Sequence, residues 1–249
     1  MWTNKQERKT WIKAVVWCVG IICGCSLKLH AGPVAFSDGT FADADWQLIL
    51  EPHGGGGTVV ASQQSSGGNL GEYRYITNTV YGPAGSTIFG FHEKISATYD
   101  PQTQGAIDSI SYSEDSIMFC GYGEGQATGP ALMQDGKIFY GFLPLPPHYL
   151  MSNQLSWTHQ TLTSLPADSF YLSGPVWMGS EHPDFSSLGD PIVFGFFRSN
   201  GSAGGGYTII AGIDNWSITV NPAVPAPGAI VLGGIGVGLV NWLRRRRAI

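Results

Sequence analysis

The chain has 249 residues, of which 43% are hydrophobic and only 12% charged, with 35 glycines and a formal net charge of −5. So low a charge density excludes a disordered polyelectrolyte, the lack of a Gly-X-Y period excludes collagen, and the lack of a basic excess excludes a nucleic-acid-binding protein. The length suits one all-β domain of about 200 residues with processing segments at its ends.

Charge is unevenly spread along the chain. Lys5, Arg8, Lys9 and Lys13 crowd the front, and Arg244, Arg245, Arg246 and Arg247 crowd the back. Between residues 33 and 226 the basic residues are Arg74, Lys94, Lys137 and Arg198, four against 17 acidic, a balance of −13. Such a surface repels nucleic acid and anionic lipid, tolerates neutral polysaccharide and attracts divalent cations.

Residues 1–31 read as a secretory signal peptide handled by the Sec translocon. Four cations precede the apolar run 14–22, which is too short for an ordinary membrane span. Cleavage after Ala31 leaves a small residue at the cut. Ile22-Cys23-Gly24-Cys25 weakly resembles a lipobox with Cys25 as the lipidated residue, and an uncleaved anchor is the third alternative. Cleavage removes Cys18, Cys23 and Cys25. Cys120 then has no partner for an intramolecular disulfide, so the fold must rest on its core. Cys120 itself reads as a small buried apolar residue.

Residues 32–220 read as a β-sandwich ectodomain. Short alternating or apolar runs are separated by Gly, Pro, Asn and Asp, with no long stretch of helical periodicity. A strand is expected over 41–50, with Trp46, Leu48 and Leu50 on one face. Others are expected at 73–80, 86–91, 107–117, 192–198 and 207–220. In the run 107–117, Ile110 and Tyr112 share one face and Ser109, Ser111 and Ser113 the other. Residues 130–134 and 137–142 flank Asp135-Gly136, whose residue types accept the positive φ of a type I′ hairpin turn. Gly54–Gly57 and Gly204–Gly206 read as loops.

Ten to twelve strands without a helix suggest a jelly roll of the concanavalin-like or galactose-binding-like kind. The opening Phe36-Ser37-Asp38-Gly39-Thr40-Phe41 and the closing Gly212-Ile213-Asp214-Asn215-Trp216-Ser217-Ile218 resemble the first and last strands of carbohydrate-binding-module-like jelly rolls. That resemblance implies chain ends lying side by side, with a structural calcium between Asp38 and Asp214. Turn capping by Asp38 and a satisfied edge carboxylate at Asp214 are the plainer alternatives.

Residues 221–227 form a proline-rich linker. Residues 228–243 are uncharged and would make a transmembrane helix about 24 Å long, followed by a basic cytoplasmic tail at 244–249 held inside by its arginines. Val224-Pro225-Ala226-Pro227, the apolar segment and Arg244, Arg245, Arg246 and Arg247 together resemble a PEP-CTERM sorting signal. Ala226 stands where that family usually has glutamate. The resemblance implies a membrane-anchored precursor, cleavage near the prolines by an exosortase-type membrane protease, and delivery to the cell surface or extracellular matrix.

Catalytic patterns are missing from the sequence. A jelly-roll glucanase typically shows a Glu-x-Asp-x-x-Glu cluster, and none is present. Glu114-Asp115 would point to opposite faces of a strand, Asp43 and Asp45 sit beside a turn, and both pairs read as surface residues. No His-x-His, His-Glu-x-x-His or Gly-x-Ser-x-Gly occurs. Aromatic residues remain. Tyr149, Trp157 and Trp177 lie in Pro-, Ser- and His-rich stretches and are candidates for stacking on sugar rings, whereas Trp46 and Trp216 read as core. The resulting expectation is a glycan-binding or structural surface protein without enzymatic activity. The alternatives are a glycoside hydrolase or lyase acting on matrix polysaccharide, and a ligand-free coat protein.

Overall fold

The structure is a computed structural model, and it describes residues 32–120, 126–141, 149–150, 156–174 and 180–223. The signal, sorting and transmembrane segments read from the sequence lie outside these residues, as does Trp177. Among the described residues no helix is long and apolar enough to cross a membrane.

The described chain is all β. Its strands are β1 (Val34–Asp38), β2 (Trp46–His53), β3 (Gly57–Gly68), β4 (Gly71–Val80), β5 (Thr87–Tyr99), β6 (Ile107–Cys120), β7 (Gln126–Gln134), β8 (Lys137–Gly141), β9 (Tyr149–Leu150), β10 (Thr158–Leu165), β11 (Phe170–Leu172), β12 (Ile192–Gly201) and β13 (Tyr207–Pro222). A one-turn helix, α1 (Pro101–Gln104), is capped by the Asp100 carboxylate, which accepts from the amide of Gln102.

Two antiparallel sheets make a β-sandwich. The first runs β10-β6-β13-β4-β3, with β1 on β13 beyond the end of β4. The second runs β11-β8-β7-β12-β5-β2, with β9 on β7. The first and last strands are direct neighbours, pairing from Val34↔Val220 to Asp38↔Trp216. The core fills the space between the sheets. Ile76, Val80, Ile110, Ile213, Trp216 and Ile218 come from the first sheet, and Trp46, Ile88, Leu132, Phe139, Phe194 and Phe196 from the second. Trp46 meets Trp216 edge-on at 5.1 Å between centroids. Each such side chain contributes roughly 1.5–3 kcal/mol of hydrophobic free energy. The core reading of Trp46 and Trp216 therefore holds.

The hairpin at Asp135-Gly136 has the expected left-handed geometry, φ 50° and 70°. The strand expected over 41–50 starts later, at Trp46. The Asp38 carboxylate accepts the amides of Thr40 and Phe41, which curls the chain, and Asp43–Asp45 form a 3₁₀ turn. Phe41 is thereby held at φ 54° and buried. Ile110 and Tyr112 share the core face as their spacing requires. Strand β3 goes unannounced in the sequence, because small and polar residues carry little strand propensity. Cys120 is free and half-buried at the end of β6, more accessible than its sequence context suggests.

Candidate functional site: the outer face of the first sheet

Strand alternation places Tyr73 and Tyr75 of β4 on the outer face, opposite the core residues Ile76 and Val80. Phe119 of β6 stands on the same face. Its ring lies 5.8 Å from Tyr75, stacked, and 5.9 Å from Tyr73. Trp157, at the head of β10, meets Tyr73 edge-on at 5.4 Å. Four aromatic rings thus form one continuous patch across β4, β6 and β10. Tyr73 is buried beneath the patch, Trp157 and Tyr75 are half-buried, and Phe119 is 37% exposed.

Two features fix the position of Trp157 on the sheet. Its indole N–H donates to the carbonyl of Gly67 at 3.1 Å, and Gly212 of β13 lies beneath it. A Cβ at position 212 would stand 2.9 Å from the indole Cη2 and 2.9 Å from Ile117 Cγ2. Glycine is therefore what leaves room for the ring.

One end of the patch is polar. Asp115 Oδ2 accepts from the side-chain amides of Asn69 (2.9 Å) and Asn215 (2.7 Å), and Asp115 Oδ1 lies 2.6 Å from His159 Nδ1. Burial pushes the Asp115 carboxyl up, but these donors, Asn215 foremost, bring it below its ordinary value. Its cross-strand partner is Asp214. Burial raises Asp214. The amides of Asn215 and Asn69 offset part of this, and the carboxylates of Asp115 and Asp38 push it up further.

A carboxyl with a raised folded-state pKa binds its proton more tightly in the folded chain. Stability is then greatest with Asp214 protonated and falls as pH rises through that window. Asp214→Asn is expected to melt at a higher temperature than the wild type at neutral pH. The difference should vanish below the ordinary carboxylate value of about 3.9. Thermal unfolding across that range checks it, and a variant less stable at neutral pH would refute it.

The reading of Glu114 and Asp115 as surface residues is corrected by the structure. They do point to opposite faces of β6, yet both are buried. Glu114 faces the interior, where its carboxylate pairs with the Arg198 guanidinium at 3.1 Å and accepts from the Tyr112 hydroxyl. Asp43 and Asp45 are exposed but paired, with Arg74 and Lys94 respectively.

All four basic residues of the sandwich are spent in this way: Arg74, Lys94 and Arg198 are buried pairs, and Lys137 pairs with Glu181 at the surface. The outer surface therefore offers a ligand acidic and neutral groups and no unpaired Lys or Arg.

Asp38 and Asp214 are brought close, as the chain-end resemblance implies. The Asp38 carboxylate is fully engaged, however. It accepts from Thr40, Phe41, the Trp46 indole N–H at 2.9 Å and the Lys94 ammonium at 2.5 Å. Burial works against its ionisation, but Lys94 and these donors hold it far below the usual carboxylate range. The Lys94 ammonium is thus the cation that Asp38 pairs with in this structure. No cluster of three or more His, Cys, Asp or Glu side chains with metal-holding geometry exists among the described residues.

Of the three sequence-proposed stacking residues, Trp157 lies in the patch. Tyr149 is in β9, on the second sheet, with its side chain outside the described set, as is all of Trp177. Tyr73, Tyr75 and Phe119 were missed. The i, i+2 spacing of the two tyrosines in a strand-forming run was the available signal.

No protein-family model and no curated protein sequence matches the chain. Several solved structures are similar at low identity. A family 11 carbohydrate-binding module from Clostridium thermocellum, in complex with a β-1,3-1,4-mixed-linked tetrasaccharide, is 12% identical over 78% of this chain and 98% of its own, with a TM-score of 0.42. A protein of unknown function from Shewanella oneidensis is 11% identical over 84% and 95%, with a TM-score of 0.41. A protein from a xyloglucan utilization locus of Bacteroides uniformis is 13% identical over 65% and 46%, with a TM-score of 0.34.

Proposed function

We propose that this is an exported cell-surface or matrix protein whose β-sandwich binds a neutral polysaccharide on the outer face of the first sheet, without turning it over. The observation that carries the binding reading is the contiguous patch of Trp157, Tyr73, Phe119 and Tyr75. Flat aromatic faces offer apolar area to the C–H faces of sugar rings at small conformational cost. Asn69, Asn215 and His159, exposed at one end and held in place by the buried Asp115, are hydrogen-bonding groups suited to hydroxyls.

A neutral polymer fits because every Lys and Arg of the domain is already paired. Binding without turnover fits because Asp115 and Asp214, the aspartates at the polar end of the patch, are buried and engaged by amides. A glycosidase needs two carboxyls open to the scissile bond. Delivery rests on the sequence alone: a signal peptide at 1–31 for Sec export, and the PEP-CTERM-like tail for an exosortase-type protease.

The test is retention of the purified protein on a panel of immobilised neutral and acidic polysaccharides. Retention on a neutral polymer is expected. Trp157→Ala and Tyr75→Ala should each weaken it by roughly 30-fold, the loss of a hot-spot aromatic worth about 2 kcal/mol. Retention on no polymer, or retention unchanged in both variants, would overturn the reading.

A further inference from the structure

A sheet edge is a row of unpaired backbone donors and acceptors, and proteins ordinarily blunt such edges. Most edges of this sandwich are blunted. Strands β1 and β11 are only five and three residues long. Strand β2 carries Glu51 and Pro52. Strand β10 is broken by a register shift between Leu162 and Leu165, with Ser164 at φ 57°.

Strand β3 differs. It is 12 residues long, its sequence Gly-Thr-Val-Val-Ala-Ser-Gln-Gln-Ser-Ser-Gly-Gly has no charge and no proline, and it closes one side of the first sheet. Val60 sits on its outer face, 65% exposed.

The backbone pattern of β3 can be worked out. The amide of Gln63 donates to Asp43 Oδ1 at 3.0 Å, so it points away from β4. Antiparallel alternation then turns the amides of Val59 and Ala61 outward and those of Thr58, Val60 and Ser62 toward β4. Among the described residues, no backbone hydrogen bond outside the sheets reaches Val59 or Ala61. At Gln63 the edge is closed, because Asp43 takes the amide and the Gln63 side chain donates to the carbonyl of Thr40. What stays open is the segment from Gly57 to Ser62.

We infer that the open edge of β3 pairs with the same edge of a second copy of this chain, antiparallel about a two-fold axis at Val60. Val60 then faces its own counterpart as a non-hydrogen-bonded pair, with Cα atoms about 4.5 Å apart. Val59 and Ala61 exchange backbone hydrogen bonds with Ala61 and Val59 of the partner.

Three observations select a second copy as the occupant. The open segment is uncharged, so self-pairing sets no like charges opposite each other, although the domain is acidic. The pairing buries the exposed Val60 against an identical apolar side chain. The Asp43 block at Gln63 ends the ladder symmetrically in both copies, so the assembly closes as a dimer instead of running on as a filament. If the polysaccharide reading holds, the two-fold axis sets both aromatic patches on one side of a continuous sheet, giving a bivalent surface. The dimer itself does not depend on that reading.

The test uses the full-length chain in mild detergent, with Cys18, Cys23, Cys25 and Cys120 changed to serine and one cysteine introduced. Under mild oxidation Val60→Cys is expected to give a covalent dimer, since the proposed Cα spacing lies within the range for a disulfide, roughly 4.4–6.8 Å. Thr163→Cys on the β10 edge should stay monomeric. In parallel, Val60→Lys should leave the melting temperature unchanged and abolish cross-linking of the otherwise wild-type edge by a short bifunctional reagent. A Val60→Cys chain that cross-links no faster than Thr163→Cys would overturn the proposal, whatever the polysaccharide panel shows. A dimer that survives Val60→Lys would do the same.

Discussion

Glu114→Ala is expected to cost about 3–5 kcal/mol of unfolding free energy, because it strands the guanidinium of Arg198 between the sheets. Arg198 is 0% exposed and Glu114 1%. The guanidinium makes three contacts of 3.1–3.2 Å with the two carboxylate oxygens, donates to the carbonyl of Phe197, and bonds to Thr128. Arg198 also lies over the Phe196 ring at 5.0 Å. In the folded chain Arg198 is out of contact with solvent, so the lost carboxylate leaves a buried charge without its counterion. A domain of this size has about 5–15 kcal/mol in total, so the variant should sit near its unfolding threshold at room temperature.

The pair is a different matter from either partner. Glu114→Leu combined with Arg198→Met removes both charges and is expected to cost far less than the sum of the single variants, since apolar replacements often equal a buried ion pair. Guanidinium unfolding of the two single variants and the double variant checks this. A Glu114→Ala chain within 1 kcal/mol of wild type would show that the interior is hydrated enough to hold a lone cation. The inner polar layer extends to His92, stacked on Phe196 at 4.4 Å and held neutral by burial and by the neighbouring Arg74 and Arg198 charges.

The second large effect is expected at Asp38. Asp38→Ala removes the acceptor shared by the Lys94 ammonium, the Trp46 indole and the Thr40 and Phe41 amides, and should cost about 3–5 kcal/mol. Asp38→Asn keeps one acceptor and the turn but not the charge, and should cost less.

The pH dependence has a definite sign. The folded-state pKa of Asp38 is depressed, so its contribution is complete above the ordinary carboxylate value of about 3.9 and is lost as pH falls toward the folded value. Asp38→Asn should therefore trail the wild type at neutral pH and converge with it in strong acid. Urea unfolding of both proteins from neutral to acid pH reads this directly. A constant gap at all pH values would mean that charge is not what Asp38 contributes. Asp214, a short distance away, has the opposite sign, so the two aspartates flanking the paired first and last strands titrate against each other.

Much of the molecule was legible in its residues. Alternation in 107–117 put Ile110 and Tyr112 on one shared face because a strand has a period of two, whatever its neighbours are, and the structure makes that face the core. Asp135-Gly136 fixed a hairpin because few residues accept two successive positive φ values. That the first and last strands lie side by side was implied only by the resemblance of residues 36–41 and 212–218 to the end strands of carbohydrate-binding-module-like jelly rolls, and these strands do pair.

The sequence also determined the acid excess of the domain and the charge and apolar pattern of its two end segments, since these are properties of composition and order alone. It did not show that all four basic residues between 33 and 226 would be spent on carboxylates, because Arg198 and Glu114 lie 84 positions apart and meet only when the two sheets close.

The binding face was hidden for the same reason. Tyr73, Phe119 and Trp157 come from three strands whose neighbour relations are set by sheet order, and the glycine that seats Trp157 belongs to a further strand, at position 212. Glu114 and Asp115 looked like surface residues because charge predicts exposure on average. Burial becomes tolerable when a partner is supplied from elsewhere in the fold, and that partner is a tertiary fact. Likewise, only the sheet order revealed that the uncharged β3 lies at an edge, where an absence of charge has a consequence it would not have in a central strand.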